Sequence, residues 1–211
     1  MFQAEMSDRL IADELQTPSA RATIGRQIIV LEQTSSTNDA ILQVATTNSN
    51  EGLVLFAEHQ TAGRGQRGNR WESAAGKGLW FSILLRPKIQ INDSGRLTIW
   101  AIETISDVIR TEFSLEPAIK LPNDVQLYGC KVAGVLVEMR AQEKAPHLAV
   151  VGIGINVNQS MEDLPPELQN RAISLAMALH RPVDRRQFAV AVLRYLDRTY
   201  RERFTDEALQ S

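Results

Sequence analysis

The residues best suited to chemistry lie in one glycine- and arginine-rich stretch, positions 63–71, which reads GRGQRGNRW. Arg64, Arg67 and Arg70 supply planar, permanently charged groups that bind phosphate or carboxylate. The glycines between them let backbone N–H groups approach a ligand closely. The stretch therefore predicts a surface loop, and a ligand that carries both phosphate and carboxylate groups would suit it.

The same stretch matches the dinucleotide-binding pattern Gly-x-Gly-x-x-Gly at positions 63, 65 and 68. That pattern requires a strand directly before it and an apolar helix directly after it. Here the letters NRWES follow, and they show no helical apolar periodicity. No acidic residue closes a following strand about 20 residues on, where a ribose ligand belongs. A nicotinamide-dependent oxidoreductase is therefore the less favoured alternative.

Two further segments add cations, a carboxylate and glycines. A Pro-Asn-Asp turn separates Lys120 from Asp124, so the lysine could neutralise phosphate and the carboxylate could hold Mg²⁺. Lys131 opens an apolar strand, where a lysine is either edge protection or a ligand group. Gly134, and the glycines at 152 and 154 before Asn156, indicate close approach by a ligand or another backbone, with a hairpin and a bulged strand as the structural alternatives.

Other catalytic arrangements are missing from the sequence. The three histidines lie far apart without metal-ligand spacing, there is no Gly-x-Ser-x-Gly motif, and Cys130 is the single cysteine. The remaining inventory of cations, amides and one carboxylate is typical of phosphoryl or nucleotidyl chemistry, in which positioning and charge neutralisation dominate.

The order of the predicted elements indicates the fold that must position these residues. Several strands follow one another between helices, which predicts an α+β fold with a mixed or largely antiparallel sheet and helices packed on one side. The pattern places a short helix on Phe2, Met6 and Leu10, a second helix after an N-cap at positions 36–38, a third from Leu97 to Phe113, and a last one capped by Asp184. Strands are predicted at 28–31, 53–57, 79–85, around 118–119, at 131–139 and at 147–157.

Length and composition define the class of protein. The 211 residues predict an N-terminal arm at 1–25 and one domain at 26–211 with a core of its own. A net charge of −2 argues against a protein that coats nucleic acid. There is no apolar run long enough to span a membrane and no secretory signal, so we expect a cytoplasmic protein.

Together, these motifs resemble the catalytic domain of biotin protein ligases, the biotin–[acetyl-CoA-carboxylase] ligases, over roughly residues 28–200. The resemblance implies the biotin/lipoate ligase fold, which is similar to class II aminoacyl-tRNA synthetases. The matching segments occur in the family's order: STN at 36–38, EHQTAGRG at 58–65, Arg67, Gly68 and Trp71, K-x-PND at 120–124, K-x-x-G-x-L-x-E at 131–138, and GIGIN at 152–156.

The family implies that biotin is activated with ATP to biotinyl-5′-AMP and then transferred to a lysine of the biotin carboxyl carrier protein of acetyl-CoA carboxylase. The implied catalytic residues are Lys131, Arg64 and Lys120. The implied ATP site contains Arg64, Arg67, Trp71, Lys120, Asn123 and Asn156, and the implied Mg²⁺ ligand is Asp124. The implied biotin site contains Ser36, Thr37, Asn38, Gln60, Gly63, Arg64, Gly65, Gln66, Lys131 and Gly134.

The resemblance also carries expectations about the arginine-rich loop, about further domains and about binding partners. Gln66 and Asn69 stand where the family often has arginine, which predicts faster loss of the adenylate. We expect no DNA-binding domain, no nucleic acid or membrane partner, a homodimer as one possible state, and a missing C-terminal β-barrel domain. Two alternatives stay open beside the ligase: a non-catalytic binder of biotin or its adenylate, and a lipoate or octanoate ligase.

Overall fold

The computed structural model describes residues 8–16, 21–45, 51–142 and 146–205. Seven strands within these ranges form one sheet. The sheet order is β1-β2-β3-β7-β6-β5-β4. The pair β1–β2 is parallel and every other pair is antiparallel, which confirms the predicted mixed, largely antiparallel sheet. The strands are β1 (Ile28–Thr34), β2 (Val54–Gln60), β3 (Gly78–Leu85), β4 (Ala118–Lys120), β5 (Asp124–Leu127), β6 (Cys130–Arg140) and β7 (Leu148–Asn156).

Two long helices cover one face of the sheet, as predicted. The described helices are α1 (Ala12–Leu15), α2 (Thr37–Val44), α3 (Gly95–Phe113), α4 (Leu175–Leu179) and α5 (Arg185–Phe204). Alternate residues of the central strands, such as Phe56 and Phe81, join α3 and α5 in the main core. The short helix α2 packs instead on the opposite face, against Leu55, Leu84 and Val150. The central strand β3 is buried along its whole length because both of its faces are covered.

The predicted elements are present, with differences: α2 lies on the face opposite the long helices, although all helices were predicted on one side, and the five residues of α4 were not predicted. The four residues of β5 were not predicted, because so short a run after a turn carries little periodicity. The first predicted helix rests on Phe2 and Met6, which lie outside the described residues, and α1 begins after Leu10. Leu10 and Leu15 are buried in the main core, so the described part of the N-terminal segment packs against the domain.

Aromatic contacts join the two long helices, and a buried hydroxyl of α5 hydrogen-bonds the segment that precedes β2. Trp100 of α3 lies 5.4 Å from the ring of Tyr200 of α5. The Tyr200 hydroxyl donates to the carboxylate of Glu51, and burial, reinforced by that carboxylate, raises the pKa of the tyrosine far above its usual range. In the part of the chain described here, no helix combines the length and apolarity needed to cross a membrane.

Candidate active site

The predicted residues converge on the sheet face that α2 covers. A small pocket with a free volume of about 30 Å³ opens between the start of α2, the end of β2, and strands β6 and β7. The sequence predictions that line it are Ser36, Thr37, Asn38, Gln60, Arg64, Gly65, Trp71, Asn123, Lys131 and Gly134.

Buried hydrogen bonds orient one wall of this pocket. The Gln60 side-chain oxygen accepts from the backbone N–H of Thr37 at 2.9 Å and from its hydroxyl at 3.2 Å. The Gln60 amide nitrogen donates to the Ser73 hydroxyl at 3.0 Å. Because Thr37 and Ser73 engage the two ends of the amide, the orientation of Gln60 is set before any ligand binds.

Three glycines form a flat floor on β6 and β7. A Cβ atom on Gly154 would lie 2.5 Å from Cε2 of Trp71, and one on Gly134 would lie 2.9 Å from Cζ3 of the same ring. A Cβ atom on Gly152 would lie 2.2 Å from the side-chain oxygen of Asn38. Close approach therefore requires these glycines, but the approaching groups are side chains rather than the ligand or backbone predicted for Gly134: Trp71 lies over Gly154, and Trp71 and Lys131 lie over Gly134.

Arg64 points its guanidinium at two carboxylates. It lies 2.7 Å from Asp39 of α2 and 2.9 Å from Glu138 of β6. Asn38 donates a further hydrogen bond to Glu138 at 2.7 Å. All three ionic side chains are partly exposed, so each pair contributes only about 0.2–1 kcal/mol to stability. The two carboxylates instead fix the direction in which the Arg64 side chain points.

Lys131 joins this pocket to a larger one. Its ammonium lies 2.6 Å from Asp124 and 5.0 Å from the centre of the Trp71 ring. Both Lys131 and Trp71 also line the second pocket, of about 470 Å³, which contains Lys120, Asp124 and Asn156 among the predicted residues. The two cavities therefore share a wall made of one cation and one aromatic ring.

Asn156 and Lys120 differ in how strongly the protein holds them. The amide of Asn156 is buried and donates to the backbone oxygens of Lys131 and Ile173 at 3.4 and 3.2 Å. It therefore ties β6 to the chain that precedes α4. Lys120 lies opposite Asp124 in the β4–β5 register and is exposed. Their contacts with a nucleotide stay predictions.

Three predicted residues do not line either pocket: Gly63, Gln66 and Arg67. Gly63 instead lets the loop fold back, since a Cβ there would lie 2.6 Å from the backbone oxygen of Trp71. Gln66 begins a 3-10 turn in which Arg67 adopts a left-handed conformation, with φ 57°. Asn69 closes this turn by donating its side-chain amide to the Gln66 oxygen at 2.9 Å.

Sequence reasoning missed several residues of the site. Ser73 and Ser82 orient the amides of Gln60 and Asn38, and Asp39 orients Arg64. Nothing in their local sequence indicates partners that lie 13, 44 and 25 positions away. Arg171 lines the second pocket, and its backbone oxygen accepts from the Lys131 N–H at 2.8 Å. A signal for Glu138 was present, because it belongs to the quoted K-x-x-G-x-L-x-E segment, yet no role was assigned to it.

The residues that could hold a metal are few. In the ranges that the structure covers, no group of three or more His, Cys, Asp or Glu side chains could bind an ion. Asp124 is the predicted ligand, and its carboxylate is paired with Lys131. This arrangement fits Mg²⁺ that is held mainly by phosphates and waters, because such an ion takes one or two protein carboxylates.

Comparison with known proteins identifies the family. The model of the biotin/lipoate A/B protein ligase family matches residues 30–156. The bifunctional ligase/repressor BirA of Bacillus spizizenii is 34% identical over 197 residues, which are 93% of this chain and 61% of that protein. The biotin–[acetyl-CoA-carboxylase] ligase of Mycobacterium tuberculosis is 34% identical over 177 residues, 82% of this chain and 63% of that protein. The chain thus spans less than two thirds of the length of either relative.

A solved structure extends the similarity to three dimensions. The biotin protein ligase from Aquifex aeolicus in complex with biotin and ATP superposes with a TM-score of 0.72 at 32% identity, over 84% of this chain and 71% of that one. Residues 30–156, which match the family model, contain the glycine floor, the arginine loop and Lys131. This chain belongs to the biotin/lipoate A/B protein ligase family.

Proposed function

We propose that this chain activates biotin with ATP and transfers the biotinyl group to a lysine of a carrier protein. One observation carries the proposal: a pocket walled by buried amide and hydroxyl groups also holds Arg64 and Lys131, and Lys131 borders a second cavity large enough for a nucleotide. The solved structure of the Aquifex aeolicus ligase with biotin and ATP supports the same pairing of ligands.

The polar wall favours biotin over the related acids. A ureido ring offers two N–H donors and one carbonyl acceptor, which suit the hydroxyls and amides of Ser36, Thr37 and Gln60. Lipoate and octanoate place mainly apolar atoms there, so they would cover this polar wall without adding hydrogen bonds to it. Sites built to hydrogen-bond a substrate reject analogues that lack those groups.

The first half-reaction needs no protein nucleophile. A carboxylate oxygen of biotin attacks the α-phosphorus of ATP, the bond to the bridging oxygen breaks, and pyrophosphate leaves. Lys131 and Arg64 would neutralise the negative charge that grows on the reacting oxygens. Lys120 would neutralise charge on the departing pyrophosphate. Mg²⁺, with Asp124 as its protein ligand, supplies further neutralisation when bound. Asn123, which lines the first pocket, and Arg67, which lines neither pocket, stay predicted nucleotide contacts.

In the second half-reaction a lysine amine of the acceptor attacks the acyl carbon, AMP leaves, and the amine loses a proton. A biotin carboxyl carrier protein is the proposed acceptor, supported by the name of the Mycobacterium tuberculosis relative. Action in the cytoplasm and formation of a homodimer stay predictions, which fractionation and sedimentation would check.

The experiment is product analysis by mass spectrometry. The purified chain is incubated with ATP, Mg²⁺ and either biotin, lipoate or octanoate, and then with an unmodified carrier domain. We expect biotinyl-5′-AMP, followed by a biotin-sized mass gain on the carrier, and no product from the other two acids. Biotin binding without any adenylate would instead identify a non-catalytic binder, and equal use of lipoate would refute the assigned substrate.

A further inference from the structure

The two strands that carry the arginine loop separate at its base. Strands β2 and β3 pair as a ladder that ends at Ala57 and Trp80. Beyond that point the end of β2 continues beside β1, whereas the start of β3, at Gly78, lies opposite Asn156 of β7. Residues 61–77, which include Arg64 and Trp71, therefore begin and end on strand ends that the ladder no longer joins.

One backbone hydrogen bond, from the Gly76 N–H to the Glu58 oxygen at 3.0 Å, and one buried side chain bridge this separation. Arg185, the first residue of α5, is 2% exposed. Its Nη1 atom donates to the Glu58 carboxylate of β2 at 2.8 Å and to the backbone oxygen of Gly78 at 3.1 Å. The same guanidinium group thus contacts both ends of the loop, and its planar, rigid geometry fixes how far apart they lie.

The N-terminal segment completes this arrangement. The carboxylate of Asp8 accepts from the Nε and the backbone N–H of Arg185 at 2.9 and 2.8 Å, and the backbone oxygen of Asp8 accepts from Nη2 at 2.8 Å. Glu58 uses its second oxygen to accept from the Leu10 N–H at 2.8 Å. The buried charges are therefore paired and hydrogen-bonded, the condition under which a protein tolerates them. We call Asp8, Glu58 and Arg185 the Arg185 cluster.

We propose that the Arg185 cluster is a positioning unit for the ligand loop: it fixes the two ends of residues 61–77 and thereby sets how firmly the loop retains the acyl-adenylate. The part of this inference that concerns the adenylate rests on the proposed function. The part that concerns the loop does not, since it predicts loop behaviour without ligand. None of the three residues lines either of the two pockets of the candidate active site, so they act through the loop rather than on substrate.

The test compares Arg185→Lys with a matched control, Asp197→Asn. A lysine keeps the buried charge but has one ammonium, which cannot contact Glu58, Gly78 and Asp8 in the same way. Asp197 is likewise buried, at 5% exposure, and accepts from the backbone N–H groups of Thr23 and Ile24. It anchors the same N-terminal region to α5 but has no contact with the loop, so it reports the effect of stability alone.

Three quantities are measured: the melting temperature, the rate of trypsin cleavage after the loop arginines without ligand, and the rate of adenylate release. For Arg185→Lys we expect loop cleavage and adenylate release to rise about tenfold, the effect of losing roughly one hydrogen bond. For Asp197→Asn we expect a comparable fall in melting temperature with both rates close to those of the wild type.

The outcomes separate the two proposals. If Arg185→Lys changes loop cleavage and adenylate release no more than Asp197→Asn does, the cluster stabilises the fold without positioning the loop, and the inference is wrong. If Arg185→Lys does not fold, Asp8→Asn replaces it, with the same direction and a smaller effect expected. If the wild type forms no adenylate, the proposed function fails, while loop cleavage still decides the role of the cluster.

Discussion

Replacing Gly154 by alanine tests whether the glycine floor exists to seat Trp71. The added Cβ would lie 2.5, 2.6 and 2.8 Å from three atoms of the indole. Carbon atoms make favourable contact at about 3.5 Å, so the ring must withdraw by roughly 1 Å. Overpacking of this kind costs about 1–3 kcal/mol, which corresponds to roughly a tenfold to hundredfold loss of affinity if the wall between the two pockets moves.

The assay is titration calorimetry with biotin, with thermal unfolding measured alongside. Gly95→Ala is the matched control, since a Cβ at Gly95 meets nothing within 4 Å. We expect Gly154→Ala to weaken biotin binding and Gly95→Ala to leave it unchanged. With Trp71→Ala in the background, Gly154→Ala should have little further effect, because the two changes remove the same contact. Wild-type affinity in Gly154→Ala would refute the reasoning.

Three further predictions concern other parts of the chain. Burial keeps the pKa of the Tyr200 hydroxyl raised in the folded state, while in the unfolded chain it loses its proton near pH 10, so the free energy of unfolding falls above about pH 10 by up to roughly 1.4 kcal/mol per pH unit. Chemical denaturation at several alkaline pH values should show a shallower fall for Tyr200→Phe but not for Tyr128→Phe, which alters an exposed residue. Gln66→Arg should slow release of the adenylate, measured by chase with unlabelled ligand; an unchanged rate would contradict the role given to the missing arginine. Ser73→Ala removes the partner of the Gln60 amide and should raise the dissociation constant for biotin about tenfold in calorimetry.

Periodicity was enough to predict the sheet and the long helices. The apolar patterns of strands such as β3 and of the helix α3 predicted these elements correctly, because each element packs its apolar residues against the same core. Periodicity does not indicate which face of the sheet a short helix packs against. The α2 helix lies opposite the long helices because Ala40 and Ile41 pack on Leu55 and Leu84, the reverse face of two buried strands.

Residues of the candidate site could be predicted where the residue type has one predominant chemical role. Arg64 and Lys131 could be read as anion-binding groups, and the glycines at 134 and 154 as a surface of close approach. The partners of these groups come from distant parts of the chain, such as Glu138, which lies 74 positions after Arg64. Arg185 was read as part of a helix, because the sequence does not reveal that Asp8 and Glu58 meet it in the core.

The central claim is that Lys131 promotes attack of biotin on the α-phosphate, and biotin-dependent exchange of labelled pyrophosphate into ATP tests it most directly. The wild type is compared with Lys131→Ala and with Lys88→Ala, which alters an exposed lysine outside both pockets. We predict exchange that requires biotin and Mg²⁺ in the wild type and in Lys88→Ala, and loss of exchange in Lys131→Ala. Exchange at the wild-type rate in Lys131→Ala would contradict the account.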